Sequence, residues 1–250
     1  WRKCGIVRRA CGRHSPAMTD LPRPLQSPDF SHVDIWVFDL DNTLYPPHCD
    51  LFSQVDIRMR DFISQALDVA PDEARRLQKL YYVEHGTTLN GLMRVHGLQP
   101  HDFLDYVHQI DVSHLEPARD LSVQLERLPG RKVIFTNGTV AHADNVTQKL
   151  GIEHHFDGVF DIVTVAFQPK PQRTAYERFV AASGIDPARS AMFEDIARNL
   201  LVPHDMGMAT VWVRPGDPGP ERHQQLSHEG AEGEHVHHVT DDLALFLSRL

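Results

Sequence analysis

Val33-Asp34-Ile35-Trp36-Val37-Phe38-Asp39-Leu40-Asp41-Asn42-Thr43-Leu44-Tyr45 is an apolar stretch that runs into two acids. Val33 to Phe38 reads as a buried strand. Side chains two apart on a strand share a face. Asp39 and Asp41 would therefore both face the crevice where open α/β sheets bind ligands. Two like charges that close call for a cation, a shared proton, or a phosphoryl substrate with its metal. The pair suits Mg²⁺-assisted phosphoryl transfer through an aspartyl nucleophile. Taken alone, the same letters also fit a turn in which Asp and Asn cap a following helix.

Three further segments decide between these. Lys132-Val133-Ile134-Phe135-Thr136-Asn137-Gly138 is an apolar strand ending in Thr-Asn-Gly. Gln168-Pro169-Lys170-Pro171 sets a lysine between two prolines on a stiff turn. Ala191-Met192-Phe193-Glu194-Asp195-Ile196-Ala197-Arg198-Asn199 is another strand ending in two acids. Each has an ordinary alternative: a turn for Thr136 to Gly138, a solvated charge for Lys170, a helix cap for Glu194-Asp195. In this order, and with three of them at strand ends, the four segments resemble the motifs of the haloacid dehalogenase superfamily of phosphohydrolases, over residues 33–213. Phe38 to Phe52, Tyr81 to Leu92, Phe193 to Leu200 and Pro203 to Met208 are similar in wording to its pyrimidine 5′-nucleotidase branch.

The resemblance implies roles. Asp39 would attack phosphorus and form an aspartyl-phosphate. Asp41 would act as general acid and then base, which calls for a raised pKa from crowding anions. Thr136, Asn137 and Gly138 would bind phosphate oxygens, and Lys170 would place a positive charge against Asp39 and the phosphoryl group. Asp39, the backbone carbonyl of Asp41, and Asp195 would hold Mg²⁺. Glu194 is a second candidate ligand or a support for one. Asn199 stands where many members carry Asp, and would orient Asp195 or Lys170.

Residues 46–120 contain no strand signal. Pro46-Pro47 forms a stiff hinge. Phe52, Val55, Met59, Phe62, Ile63 and Ala66 mark one amphipathic helix. A second is expected through Ala74, Leu77, Leu80 and Tyr81, and a third around Phe103 to Val107. This segment reads as a helical cap that excludes water and selects the leaving group. Its loop His85-Gly86-Thr87-Thr88 resembles a substrate-facing loop, which makes His85, Thr87, Thr88 and Arg94 candidate nucleoside contacts. Alternatively, Gly86 ends one helix and Thr88 caps the next.

Residues 29–45 and 121–250 alternate strand and helix, as a Rossmann-like parallel sheet core with helices on both faces does. The expected elements are helices at Leu121 to Leu128, Ala141 to Leu150 and Arg173 to Ser183. Short strands are expected over Gly158 to Val165, strands at Ala191 to Phe193 and Thr210 to Val213, a last strand near Val236 to Val239, and a helix from Asp241 to Leu250. The fold class is thus α/β with an inserted helical cap. His223, His228, His235, His237 and His238 in the tail read as a solvated loop rather than a metal tract.

Net charge is −9, which argues against nucleic acid as a partner. No apolar run nears the roughly 20 residues that a membrane helix needs. Cys4, Cys11 and Cys49 show no pairing pattern, as expected of a reducing cytoplasm. Cys49 reads as a packing residue. Residues 1–17 carry Arg2, Lys3, Arg8, Arg9 and Arg13 and no acid. They read as a mis-called start or fused upstream translation ahead of Met18, in preference to an arginine-rich targeting peptide, within a disordered leader over 1–28. No heptad or large apolar stripe declares an oligomer interface.

The expected activity is Mg²⁺-dependent hydrolysis of a small phosphate ester, UMP or CMP by the branch resemblance. A sugar phosphate is the nearest rival substrate, since cap specificity is not written in residue types. A carbon–halogen hydrolase needs no acid at position 41. A phosphomutase uses the same two aspartates. A catalytically silent phosphate-binding protein remains the reading from outside enzymology.

Overall fold

A computed structural model describes residues 29–214, 227–228 and 230–250. The leader and His223 lie outside the described residues. Strands β1 (Ile35–Phe38), β2 (Arg131–Phe135), β3 (Gly158–Phe160), β4 (Ser190–Glu194), β5 (Ala209–Val213) and β6 (His238–Thr240) form one sheet in the order β3-β2-β1-β4-β5-β6. Every neighbouring pair is parallel. After β3 the chain returns to the far side of β1, so the order reverses there. Such reversals open a crevice at the carboxyl ends of the strands. Register makes those ends level: Phe38 pairs with Ile134 of β2 on one side and Phe193 of β4 on the other.

The central strands are apolar on both faces because both are covered. On one face Phe38 stacks on Phe193 with centroids 4.8 Å apart, and Phe246 meets Phe193 edge-on. On the other Phe135 lies flat against Phe179 at 4.3 Å. Burying each such ring contributes about 1.5–3 kcal/mol.

Four helices follow β1: α1 (Leu51–Leu67), α2 (Pro71–His85), α3 (Thr88–His96) and α4 (Pro100–Val107). Val55 and Ile63 of α1 are buried, two turns apart on one stripe. α2 begins on Pro71, with Asp72 and Glu73 in the first turn, where the helix dipole favours acids. It ends at Gly86, whose φ of 81° is costly for other residues. The cap of α3 is Thr87 rather than the expected Thr88: the Thr87 side chain accepts from the Asn90 N–H. Thr88 is the first helical residue, and its hydroxyl donates to the Gln78 carbonyl at 3.2 Å. Cys49 packs half-buried against the core.

The remaining helices are α5 (Arg119–Arg127), α6 (Val140–Leu150), α7 (Arg173–Ser183), α8 (Leu201–Asp205) and α9 (Leu243–Leu247). Three expectations need correction. Strand structure stops at Phe160 because Asp161 Oδ1 accepts from both the N–H and the hydroxyl of Thr164, closing a turn. The last helix is shorter than expected and is capped by Asp242, which accepts from the Leu245 N–H. The tail histidines are not all solvated: His235 is 6% exposed, and its carbonyl accepts from Thr210 of β5.

Candidate active site

The carboxyl ends of β1, β2 and β4 deliver the motif residues to one cavity of about 200 Å³. Asp39, Asp41, Thr136, Asn137, Gly138, Lys170, Glu194, Asp195 and Asn199 all line it. Beyond β1 the chain coils at once, with Thr43 and Leu44 N–H groups returning to the Leu40 carbonyl. Asn42 takes a φ of 59°, a conformation that Asn tolerates better than most residues. This coil folds Tyr45 back, so that its hydroxyl donates to Asp41 Oδ1 at 2.6 Å.

Lys170 is 3% exposed and all its visible contacts point inward. Its ammonium donates to Asp39 Oδ1 at 2.6 Å, to Glu194 Oε1 at 2.8 Å and to the Phe135 carbonyl at 3.0 Å. Burial opposes this charge, but Asp39 and Glu194 outweigh it and hold the ammonium above its usual range. Asn137 fixes the loop that carries the lysine: its Oδ1 accepts from the Lys170 N–H at 2.8 Å and its amide donates to the Lys170 carbonyl at 3.3 Å. The Asn137 side chain thus serves the lysine. Thr136 Oγ1 accepts from the Gly138 N–H at 2.9 Å, which aims the turn.

Burial lifts Asp39 to about 7. Glu194 and Asp41 add to the rise, and Lys170 offsets part of it. Asp195 is raised well above the carboxylate range by burial, Glu194 and Asp39. Asp41 differs from expectation. Burial works to raise it, but the charge of His142 and hydrogen bonds from His142 and Tyr45 outweigh that and hold it at about 2. The expected rise from crowding anions is therefore overturned, because the groups around Asp41 are cationic or hydrogen-bond donors. The cationic partner from α6 was invisible in the sequence.

Oxygens of Asp39, Glu194 and Asp195 lie within 4.8 Å of one another, all buried. This is a hard-oxygen donor set of the kind that Mg²⁺ takes. Among the described residues no other grouping of three His, Cys, Asp or Glu has this character. Glu194 is heavily engaged: Oε1 accepts from Lys170 and from Asn199 at 2.6 Å, and Oε2 accepts from the Ile196 N–H at 2.7 Å. Asn199 thus orients Glu194.

Helices α1 and α4 supply Phe52, Val55, Met59, Phe103, Leu104 and Val107 as an apolar wall. Thr87 and Thr88 join the lining, whereas His85 and Arg94 do not. Arg94 is exposed, and the His85 ring packs near Tyr81. Tyr45, His108 and His142 were missed from sequence. Tyr45 stood within the first motif, but nothing there showed that it folds back. The histidines carry no local signal at all.

A family model described as haloacid dehalogenase-like hydrolase matches residues 33–207. Phosphate metabolism protein 8 of Saccharomyces cerevisiae is 30% identical over 208 residues, which is 76% of this chain. The chain spans 64% of that relative's length. Among solved structures, L-2-haloacid dehalogenase PA0810 aligns with a TM-score of 0.54 at 15% identity, covering 87% of this chain and 98% of that one. A HAD phosphatase from Thermococcus onnurineus aligns with a TM-score of 0.52 at 18% identity, covering 83% and 93%. At these identities the structural likenesses establish the fold, which hosts more than one reaction.

Proposed function

The chain belongs to the haloacid dehalogenase-like hydrolases, and on that premise we propose that it is a Mg²⁺-dependent phosphomonoesterase acting on nucleoside 5′-monophosphates, with UMP and CMP preferred. The observation that carries the reading is the pairing of Asp39 with a buried lysine while Asp41, two residues on, is held by His142 and Tyr45. A nucleophile and a separately held acid–base group are what two-step ester hydrolysis requires.

Asp39 attacks phosphorus as the ester P–O bond breaks, and the leaving alkoxide takes, through Asp41, the proton that Asp41 shares with His142. Water then attacks the aspartyl-phosphate and gives its proton to Asp41. The Asp39 oxygen leaves, and inorganic phosphate is released. Lys170 stabilises charge on Asp39 and the phosphoryl oxygens, and the turn at Thr136 to Gly138 offers donors to those oxygens. Asp39, Asp195 and the Asp41 carbonyl would hold Mg²⁺, which when bound neutralises phosphate charge. Glu194 steadies Lys170.

The substrate reading rests on the cap. Phe52 and Tyr82 with the apolar wall suit the faces of a flat ring, and Asp56, Thr87 and Thr88 add polar groups at its edge. The test is phosphate release from a panel of nucleoside monophosphates and sugar phosphates, with Mg²⁺ and with EDTA. EDTA-sensitive release strongest on UMP and CMP is expected. Preference for a sugar phosphate would keep the mechanism and discard the substrate.

A further inference from the structure

Asp41 does not stand alone, and the groups that hold it come from two parts of the chain. Tyr45 OH and His142 Nε2 both bond Oδ1, at 2.6 and 2.8 Å. Neither falls on Oδ2. Two partners on one oxygen fix the carboxylate plane and leave its other edge to the cavity. His142 sits in the first turn of α6, where its N–H donates to the cap residue Thr139 at 3.2 Å. Its side chain is 1% exposed, and its Nδ1 is buried without a hydrogen-bond partner in the structure. A buried imidazole that leaves one nitrogen unsatisfied has a cost. Among the described residues the one polar contact of its ring is with Asp41.

His108 completes the arrangement from the other side. It follows the last turn of α4, a cap helix, and stacks on His142 with centroids 4.6 Å apart and planes 14° apart. Its Nδ1 meets Thr139 Oγ1 at 3.2 Å. Gly138 makes room: a Cβ there would lie 3.2 Å from His142 Cδ2 and 3.7 Å from His108 Nε2. Burial and the nearby His142 hold His108 down at about 4, so it stacks as a neutral ring.

We propose that His142 is the positioning residue of Asp41, and that His108 carries cap placement to it through the stack. The inference deepens the proposed phosphomonoesterase, since it assumes Asp41 as acid and base. His142 need not touch substrate. It keeps the Asp41 carboxyl aimed at the leaving oxygen, and that orientation is worth rate.

The test compares two esters of one enzyme in a rapid-quench first turnover. One is the best nucleotide from the panel, whose alkoxide needs a proton. The other is p-nitrophenyl phosphate, whose leaving group needs none. His142→Ala should slow the nucleotide's first turnover on the order of 100-fold, the scale of general acid–base catalysis, with KM little changed. Release of p-nitrophenolate in the first turnover should stay near the wild-type rate. His142→Gln, which can present an N–H near the Nε2 position, should recover part of the loss. His108→Ala should give a smaller fall with the same ester dependence, and it serves should His142→Ala misfold. A folded His142→Ala that slows both esters equally, or neither, overturns the proposal while the phosphatase reading stands. A wild type that hydrolyses neither ester overturns both.

Discussion

Lys170→Met should be the most informative single perturbation of this core. The side chain is 1% exposed and bridges Asp39 and Glu194 at 2.6 and 2.8 Å. Methionine fills most of the stem volume, so the loss is of charge rather than packing. Removing one partner of a buried ion pair typically costs about 3–5 kcal/mol, because the other partner is left uncompensated. For a chain of this size that corresponds to roughly 6–20 °C in Tm. The carboxylates can escape part of the cost by binding protons, and this gives the pH signature. Asp39 is already lifted to about 7, chiefly by burial, and loss of the ammonium lifts it further. A carboxyl whose folded pKa exceeds its unfolded one binds its proton more tightly when folded. Its penalty is absent below the unfolded value and grows until pH passes the folded value. In the wild type that growth stops near pH 7, whereas in the variant it continues. The gap between them should therefore be modest at pH 5.5 and widen toward pH 8.5, by up to about 1.4 kcal/mol per pH unit for each proton. Urea unfolding of both proteins in EDTA at the two pH values measures it. A variant as stable as wild type at pH 8.5, or a deficit that shrinks as pH rises, would refute the electrostatic account of the cluster.

Three other substitutions test neighbouring claims. Asp39→Asn should abolish steady-state turnover while leaving a folded protein by circular dichroism, and surviving turnover would remove the aspartyl-phosphate. Asp195→Ala should raise the Mg²⁺ concentration needed for activity by about 100-fold or more, on the scale of losses around metal sites, as read from a Mg²⁺ titration of phosphate release. Gly91→Ala should cost about 1–3 kcal/mol by overpacking, since its Cβ would fall 2.2 Å from Tyr81 Cβ where α3 crosses α2. An unchanged melting temperature would show that the crossing is looser than described.

The sheet was legible because its strands are apolar on both faces and end in chemistry. β1, β2 and β4 each run out of hydrophobic residues where Asp39, Thr136 and Glu194 begin. Helix α7 matched its expected bounds, and the other main helices differed by a few residues at their ends, where caps decide. The misreadings share a cause. Ile162 and Val165 look like strand residues, but Asp161 captures Thr164 locally and the apolar side chains pack from a turn instead. His235 looked like solvated tail, yet its backbone carbonyl meets Thr210 across β5. Composition gives no notice of such a tertiary hydrogen bond.

The site divides along the same line. Residues that act by sequence neighbourhood, such as Asp39 with Asp41 or Glu194 with Asp195, announce themselves through spacing. Residues that act by arriving from elsewhere do not. His142 lies 101 positions from Asp41, and His108 arrives at the end of α4. Asn137 was expected to bind phosphate and Asn199 to orient Asp195 or Lys170, but their side chains are committed to the Lys170 backbone and to Glu194. Both asparagines thus act one step back from the reaction, keeping the lysine where its charge is useful. That arrangement has a physical logic. A lysine buried between two carboxylates takes its position from neighbouring hydrogen bonds. Asp39, Lys170 and Asp41 are each held by their own contacts: Lys170 by Asn137 and Glu194, Asp39 by Lys170 and Thr43, Asp41 by Tyr45 and His142. His108, at the end of α4, stacks on His142, so the contacts that hold Asp41 are tied to the packing of α4.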